Sequence, residues 1–152
     1  MTKQIPPIAD SKAWRGYDHQ PTRGELQITS ESDIVVARQA IRQVCATLNF
    51  GLTDVTRIVT AASELTRNIY QYAGCGVMRW RALVEGAKTG LEVTFEDNGP
   101  GIPDVEQALE RGFSTSRGMG LGLPGAKRLM DEMTVQSSAG KGTIVQIRKW
   151  VK

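Results

Sequence analysis

An aspartate at position 97 stands where a strand pattern runs into a glycine-rich turn. Leu91, Val93 and Phe95 alternate with polar residues, and position 97 continues the same period-2 face. A carboxylate in phase with a core costs free energy unless it has a specific partner. The glycines of the turn at 98–101 let a ligand approach the backbone closely. Asp97 is therefore predicted either to accept a hydrogen bond from an exocyclic amine such as that of adenine, or to start the turn by bonding its own backbone.

A second pair of polar side chains, Glu64 and Asn68, is spaced four residues apart in a helical pattern. The two project together from the edge of the apolar stripe that contains Leu65. An Asn oxygen is a reasonable Mg²⁺ ligand, and a Glu one turn earlier can act as general base on a hydroxyl. The same spacing is common on helices that face solvent, so the pair alone leaves both interpretations open.

The segment 112–123 combines small hydroxyl side chains, glycines and the start of a helix, which together suit a polyphosphate. Residues 120–125 also fit the dinucleotide-binding GxGxxG pattern. That reading fails because no strand directly precedes the pattern and no acidic residue closes a strand about 20 residues later. A Walker A phosphate loop is excluded as well, since Lys141 is followed by Gly142. A flexible glycine-rich linker remains the alternative.

Thr143 lies in phase with Val145 and Ile147 in the last strand pattern. Its hydroxyl is expected to point inward, where it needs a partner such as Asp97 or a water between them. An ordinary strand threonine is the alternative interpretation of this residue.

The elements that must position these residues form the order β-α-α-β-β-loop-α-β-β. A capping box at 30–33 is predicted to begin the first helix, and the second helix is predicted to run from about 53 to 72. Because the hairpins join neighbours in sequence, we predict an α/β (α+β) two-layer sandwich, with a mixed, mostly antiparallel sheet covered on one face by helices. The strand patterns lie at 26–28, 78–84, 91–95, 135 and 143–147, and the third helix follows Pro124.

Length and composition limit the remaining possibilities. A chain of 152 residues with 40% hydrophobic residues fits one domain, for which we expect bounds of 25–152 behind a flexible arm at 1–24. The net charge of +3 is small, and no run of Lys or Arg exceeds two residues, so no nucleic-acid partner is expected despite a pI near 9.0. No membrane span or signal peptide is recognisable, which predicts a cytoplasmic protein without a membrane partner.

The sequence contains two cysteines, Cys45 and Cys75. Cys45 and Cys75 form no CxxC pair, so neither a structural zinc site nor a disulfide framework is predicted. Cys45 is interpreted as a small core residue and Cys75 as a turn residue.

Taken together and in order, four motifs resemble those of the GHKL (Bergerat-fold) ATP-binding superfamily. The sequence around them is most similar to the bacterial anti-sigma-factor serine/threonine kinases, in particular the switch kinases of the stressosome. The resemblance runs from about residue 26 to residue 152. The motifs are Glu64-x-x-x-Asn68, Asp97-x-Gly-x-Gly101, Gly118-x-Gly-x-Gly122 and Gly142-Thr143.

This resemblance implies a Bergerat fold that binds ATP and Mg²⁺. Asp97 would read the adenine amine with the help of Thr143, and Asn68 would hold Mg²⁺ on the phosphates. Glu64 would be the catalytic base that takes the proton from a substrate Ser or Thr. The other cofactor-binding residues would line the base pocket or belong to an ATP lid at about 104–122: Gly99, Gly101, Ile102, Thr115, Ser116, Gly118, Gly120, Leu121 and Gly122.

The resemblance also implies a function. The chain would be an ATP-dependent serine/threonine protein kinase that phosphorylates STAS-domain antagonist or scaffold proteins and activates a downstream PP2C-type phosphatase by binding it. One alternative is an anti-sigma-factor kinase that sequesters a sigma subunit, and another is a binding module that uses ATP only as a conformational switch. A detached histidine-kinase domain is disfavoured because the single histidine, His19, lies in the predicted arm.

Overall fold

The computed structural model describes residues 22–110 and 122–152. The predicted arm therefore lies almost entirely outside the described residues. Within them, five strands and four α-helices follow one another in the predicted order, except that the four-residue helix at Val105–Ala108 was not predicted. The elements are β1 (Arg23–Ile28), α1 (Asp33–Thr47), α2 (Leu52–Asn68), a π-helical turn (Ile69–Ala73), β2 (Gly76–Glu85), β3 (Lys88–Asp97), α3 (Val105–Ala108), α4 (Leu123–Leu129), β4 (Glu132–Ser137) and β5 (Thr143–Trp150).

The five strands form one sheet in the order β1-β2-β3-β5-β4. All four pairings between the described strands are antiparallel, and two of them, β2–β3 and β4–β5, are hairpins. The helices α1 and α2 pack against each other and against the sheet, and α4 packs on α2. This arrangement confirms the predicted two-layer α/β sandwich. No described helix has the length and apolar character needed to cross a membrane.

The core lies between the helices and the sheet face that carries Leu91, Val93 and Phe95. Each of these strand residues is at least 98% buried, as the period-2 pattern predicts. Removing a side chain of this size from water contributes about 1.5–3 kcal/mol of folding free energy. The helices supply the other half of the core through their fully buried residues, which are Ala37, Ile41, Val44, Cys45, Ile58, Ala61 and Ala62.

The opposite face of the sheet carries a row of alternating charges that crosses four strands. Arg81, Glu92, Arg148 and Glu132 lie opposite one another on β2, β3, β5 and β4. Glu92 accepts from Arg81 Nε at 2.7 Å and from Arg148 Nε at 2.8 Å, and its side chain is only 5% exposed. Burial alone raises the pKa of the Glu92 carboxyl, but the bonds and charges of the two arginines outweigh it and leave this pKa below its ordinary value.

A buried lysine ties helix α4 to the rest of the fold. Lys149 of β5 donates from Nζ to the carbonyl oxygen of Leu129, at the end of α4, over 2.9 Å. The same ammonium lies 3.3 Å from Asp131 Oδ1 and 3.8 Å from Asp54 Oδ1 at the start of α2. Because a buried ammonium needs such partners, this cluster fixes the end of the helix that follows residues 111–121.

The start of α1 differs in part from the predicted capping box. The Asp33 carboxylate does reach back, accepting from the N–H of Ser30 at 3.0 Å and of Thr29 at 2.8 Å, so this half is confirmed. The Ser30 hydroxyl does not cap the helix but lies 2.9 Å from Ser32 Oγ. The physical reason is that the Asp33 N–H already donates to the Ser30 carbonyl, and the N-cap is Ser32.

Candidate active site

A pocket opens where the end of α2, the π-helical turn, the end of β3 and the start of β5 meet. It encloses about 490 Å³ of atom-free space, counting the part open to solvent. Its wall is largely apolar, with a few polar groups converging on it, which is typical of a site for a small molecule or cofactor. The lining residues are Leu65, Asn68, Ile69, Tyr72, Ala73, Phe95, Asp97, Pro100, Gly101, Ile102, Leu123, Thr143 and Val145.

Asp97 ends β3 and lies between Gly76 and Thr143 in the strand register. Its Oδ1 accepts from the Gly99 N–H at 2.8 Å, and its carboxyl also lines the pocket. Both sequence interpretations therefore describe part of the geometry, because the turn bond and the pocket position coexist. Burial raises the pKa of the Asp97 carboxyl above its ordinary value, although the backbone N–H groups of Gly99 and Thr143 oppose this effect.

The turn after Asp97 is packed so tightly that two of its positions require glycine. A Cβ on Gly99 would lie 2.6 Å from the Cβ of Ala73 in the π-helical turn. Gly101 has a φ of +76° and contacts the carbonyl of Ser138, so it combines a left-handed conformation with a close backbone approach. The N–H of Gly140 donates to the Pro100 carbonyl at 2.6 Å, which holds the β4–β5 turn against this loop.

Thr143 faces the pocket at the start of β5, and its hydroxyl has a partner that the sequence reasoning missed. The Thr143 Oγ1 lies 2.9 Å from the Oγ of Ser137, the last residue of β4. The two residues are directly opposite each other in the β4–β5 register. Ser137 Oγ also accepts from the Ile102 N–H at 2.7 Å. Counting the hairpin register back from the turn at 138–142 is the signal that would have found Ser137.

Glu64 and Asn68 lie one helical turn apart on α2, as the spacing predicts. Asn68 lines the pocket, and Glu64 lies beside it with 37% of its side chain exposed. Glu64 Oε1 accepts from Arg67 Nη1 at 2.8 Å, an ion pair that the sequence reasoning did not consider. Gly122, at the start of α4, packs on both residues, since a Cβ there would lie 3.1 Å from Glu64 Cβ and 3.7 Å from Asn68 Nδ2.

The π-helical turn at Ile69–Ala73 is the other feature that the sequence did not reveal. The pattern predicted a regular helix as far as residue 72, whereas the hydrogen bonding changes directly after Asn68. This turn brings Ile69, Tyr72 and Ala73 to the pocket wall. Single π-helical turns often mark functional sites.

The remaining predicted lid positions, Thr115, Ser116, Gly118, Gly120 and Leu121, lie outside the described residues. Of the predicted cofactor-binding set, the structure gathers Asn68, Asp97, Gly101, Ile102 and Thr143 on one pocket wall.

The donor chemistry around Asn68 fits a magnesium ion that arrives with its substrate. Within residues 22–110 and 122–152, no group of three or more His, Cys, Asp and Glu side chains could hold a metal ion by itself. Mg²⁺ usually takes one or two protein oxygen ligands, most often from carboxylates, and completes its shell with water and substrate phosphates. The Asn68 side chain, which lines the pocket, offers one oxygen donor to such a shell.

Comparisons with known proteins identify the family of this chain. The family described as "Histidine kinase-, DNA gyrase B-, and HSP90-like ATPase" matches residues 53–152. The chain is 52% identical to serine/threonine-protein kinase RsbT of Bacillus subtilis (strain 168), over 84% of this chain and 96% of that protein. It is 33% identical to the anti-sigma F factor of Thermoanaerobacter sp. (strain X514), over 84% of this chain and 92% of that protein.

Two solved structures share the fold. The crystal structure of the RsbU and RsbW domains of Rv1364c from Mycobacterium tuberculosis matches with a TM-score of 0.54 and 19% identity, over 84% of this chain and only 33% of that one. The SiaB–SiaC complex from Pseudomonas aeruginosa matches with a TM-score of 0.53 and 14% identity, over 93% and 98% of the two chains. The chain therefore belongs to the histidine kinase-, DNA gyrase B- and HSP90-like ATPase family, the predicted GHKL superfamily, in its branch of serine/threonine-protein kinases and anti-sigma factors.

Proposed function

We propose that this chain is an ATP-dependent serine/threonine-protein kinase of a bacterial partner-switching pathway, and that its substrate is a STAS-domain protein. The observation that carries this proposal is the meeting of Asn68, Asp97 and Thr143 on one pocket, with Glu64 exposed beside it. The 52% identity to a protein named as a serine/threonine kinase, over most of both chains, supports it.

Adenine recognition is assigned to the part of the pocket that Asp97 lines. The Asp97 carboxylate accepts a hydrogen bond from the exocyclic amine, and the apolar wall formed by residues such as Phe95 and Val145 contacts the ring faces. Gly99 packs closely on Ala73, and this contact fixes the position of the turn that follows Asp97 at the pocket. Binding energy at the base thereby orients the nucleotide.

The phosphates are assigned to the part of the pocket that Asn68 lines, next to Gly122 at the start of α4. The Asn68 amide oxygen would hold Mg²⁺, which when bound neutralises charge on the phosphates. The lid residues Thr115, Ser116, Gly118, Gly120, Leu121 and Gly122 would contribute hydroxyl and backbone N–H groups to the phosphate oxygens.

Proton transfer is assigned to Glu64. As the substrate hydroxyl oxygen attacks the γ-phosphorus, its proton passes to the Glu64 carboxylate, and the bond between the γ-phosphorus and the bridging oxygen breaks to release ADP. Because 37% of the Glu64 side chain is exposed, a hydroxyl on a second protein can reach it. The ion pair with Arg67 restrains the orientation of this carboxylate.

Replacing Glu64 tests the catalytic part of the proposal. Glu64→Gln keeps the shape of the side chain but removes the base, so phosphate transfer from Mg-ATP to a STAS protein should fall by about 10²- to 10⁴-fold. ATP affinity should stay close to that of the unchanged chain, and the control Glu85→Gln, on an exposed residue at the end of β2, should leave both quantities unaltered. If the unchanged chain binds ATP but transfers no phosphate, the kinase proposal is wrong and a nucleotide-gated binding module takes its place.

The partners are part of the same proposal, with one alternative. After phosphorylating the STAS protein, the kinase would bind and activate a PP2C-type phosphatase. The 33% identity to an anti-sigma F factor favours a second function, in which the chain also sequesters a sigma subunit. Co-purification from the source cell separates them, since recovery of a sigma subunit supports the second function and recovery of a phosphatase supports the first.

A further inference from the structure

The Ser137 hydroxyl makes three polar contacts next to the pocket, although Ser137 does not itself line the pocket. Its Oγ accepts from the Ile102 N–H at 2.7 Å, which reaches the loop after Asp97. It donates to the carbonyl oxygen of Gly142 at 2.8 Å, in the β4–β5 turn. It also lies 2.9 Å from Thr143 Oγ1, which does face the pocket.

Only one arrangement of hydroxyl protons satisfies all three contacts. A carbonyl oxygen can only accept, so the single proton of the Ser137 hydroxyl points at Gly142. The Ile102 N–H can only donate, so it occupies one lone pair of Ser137 Oγ. The contact with Thr143 must then use the Thr143 proton, with Ser137 as acceptor. Thr143 is left with lone pairs and no proton to offer the pocket.

We propose that Ser137 is a positioning residue which, through Thr143, makes the pocket select a 6-amino purine over a 6-oxo purine. Asp97 and Thr143 both line the pocket, and with Ser137 in place both act there as acceptors. An amine at position 6 of the purine can donate to these two acceptors. A carbonyl oxygen at position 6 can only accept, so it finds no hydrogen-bond donor on Asp97 or Thr143. The proposal rests on the assignment of ATP to this pocket.

The loss of Ser137 has a defined chemical consequence. In Ser137→Ala the Thr143 hydroxyl no longer has a fixed acceptor behind it, so it can rotate and donate into the pocket. A 6-oxo group then finds a donor, while a 6-amino group loses an acceptor. Since a hydrogen bond contributes about 0.5–1.5 kcal/mol net, the ratio of ATP to ITP affinity should fall by roughly two- to tenfold. Asp97 remains as an acceptor, so some preference for ATP persists.

The test measures ATP and ITP binding by isothermal titration calorimetry in Mg²⁺ buffer, on the full chain and its variants. Ser137→Ala should lower the ATP/ITP ratio, and Ser137→Thr, which keeps the hydroxyl, should restore it. Ser138→Ala is the matched control, because Ser138 is the exposed neighbour and contributes only its carbonyl to the loop. It should keep the ratio of the unchanged chain.

Other outcomes overturn the inference. Equal loss of ATP and ITP affinity in Ser137→Ala would mean that Ser137 only supports the hairpin, and an unchanged ratio would mean that it does not orient Thr143. If Ser137→Ala fails to fold, Thr143→Val replaces it, since removing that hydroxyl must also lower the ratio and a retained ratio refutes the inference. An unchanged chain that binds ATP and ITP equally refutes the selection alone, whereas one that binds neither refutes the assignment of ATP as well.

Discussion

Replacing Asp97 with Asn separates the proposed role of this carboxylate in ATP binding from its effect on stability. In the structure, Asp97 Oδ1 accepts from the Gly99 N–H at 2.8 Å. An Asn side chain keeps that bond only by turning its own oxygen toward Gly99. Its NH₂ group then faces the pocket, where it meets the donor amine of adenine instead of accepting from it.

The expected loss of ATP affinity follows from that geometry. A hydrogen bond to a charged group contributes about 1.5–3 kcal/mol, which corresponds to a dissociation constant raised by about ten- to 150-fold. The opposed donors add to the loss, so the lower value of this range is the minimum expected. ITP, which presents a carbonyl at position 6, should lose less affinity than ATP.

The stability of the nucleotide-free chain should change much less than its ATP affinity. Because burial raises the pKa of Asp97, the native chain binds a proton at this carboxyl more readily than the unfolded chain does. The free energy of unfolding therefore falls as the pH rises from the ordinary Asp pKa through the raised one. The amide introduced by Asp97→Asn carries no charge and avoids this cost, but it has only one oxygen to accept from the Gly99 and Thr143 N–H groups. The two effects oppose each other, so this variant should unfold within a few degrees of the unchanged chain.

Calorimetric titration with ATP and thermal unfolding without it measure the two effects. Asp33→Asn is the matched control, because Asp33 also accepts from backbone N–H groups, those of Thr29 and Ser30, but lies at the start of α1. It should bind ATP normally. The reasoning is refuted if Asp97→Asn binds ATP as tightly as the unchanged chain, or if its unfolding midpoint drops by several degrees.

Three further predictions concern packing and reactivity. Gly99→Ala, whose Cβ would lie 2.6 Å from that of Ala73, should lower the free energy of unfolding by about 1–3 kcal/mol, and an unchanged urea midpoint would contradict this. Burial raises the pKa of Cys45 to about 12 while Cys75 is exposed, so a thiol reagent at pH 8 should modify one cysteine in the native chain and two in denaturant. Lys149→Met should lower the stability by about 1.5–3 kcal/mol in the same urea experiment, because the Leu129 carbonyl and the buried Asp54 carboxylate lose the ammonium that they share.

The strand-end chemistry was predictable because it depends on short, regular periods. A period of two residues placed Asp97 and Thr143 in phase with the core, and the structure sets them opposite each other in the β3–β5 register. A spacing of four residues placed Glu64 and Asn68 on one side of α2. These predictions needed no knowledge of which strands pair.

The features that were missed depend on pairing or on single-residue changes in hydrogen bonding. Ser137 becomes the partner of Thr143 only because the turn at 138–142 sets that register, and a serine at a strand end carries no such signal alone. The π-helical turn at Ile69–Ala73 keeps apolar residues at helical spacings, so the periodicity does not reveal it. Helix α3 has only four residues, which is too short for a periodic pattern to form.

The charged row on the sheet face has a consequence for the folding of the pocket. A slip of β3 by one residue would turn Glu92 and Glu96, which lie on the same face of β3, beneath the helices and move Asp97 away from the pocket. In chains with this wrong register, the two carboxylates would be buried in an apolar layer without a partner. Arg81 and Arg148 would also lose their ion pairs with Glu92. The charges on the outer face of the sheet thus favour the one strand register that also forms the pocket on the inner face. Variants that remove these charges should fold into mixtures of strand registers, and a smaller fraction of the molecules should have the pocket.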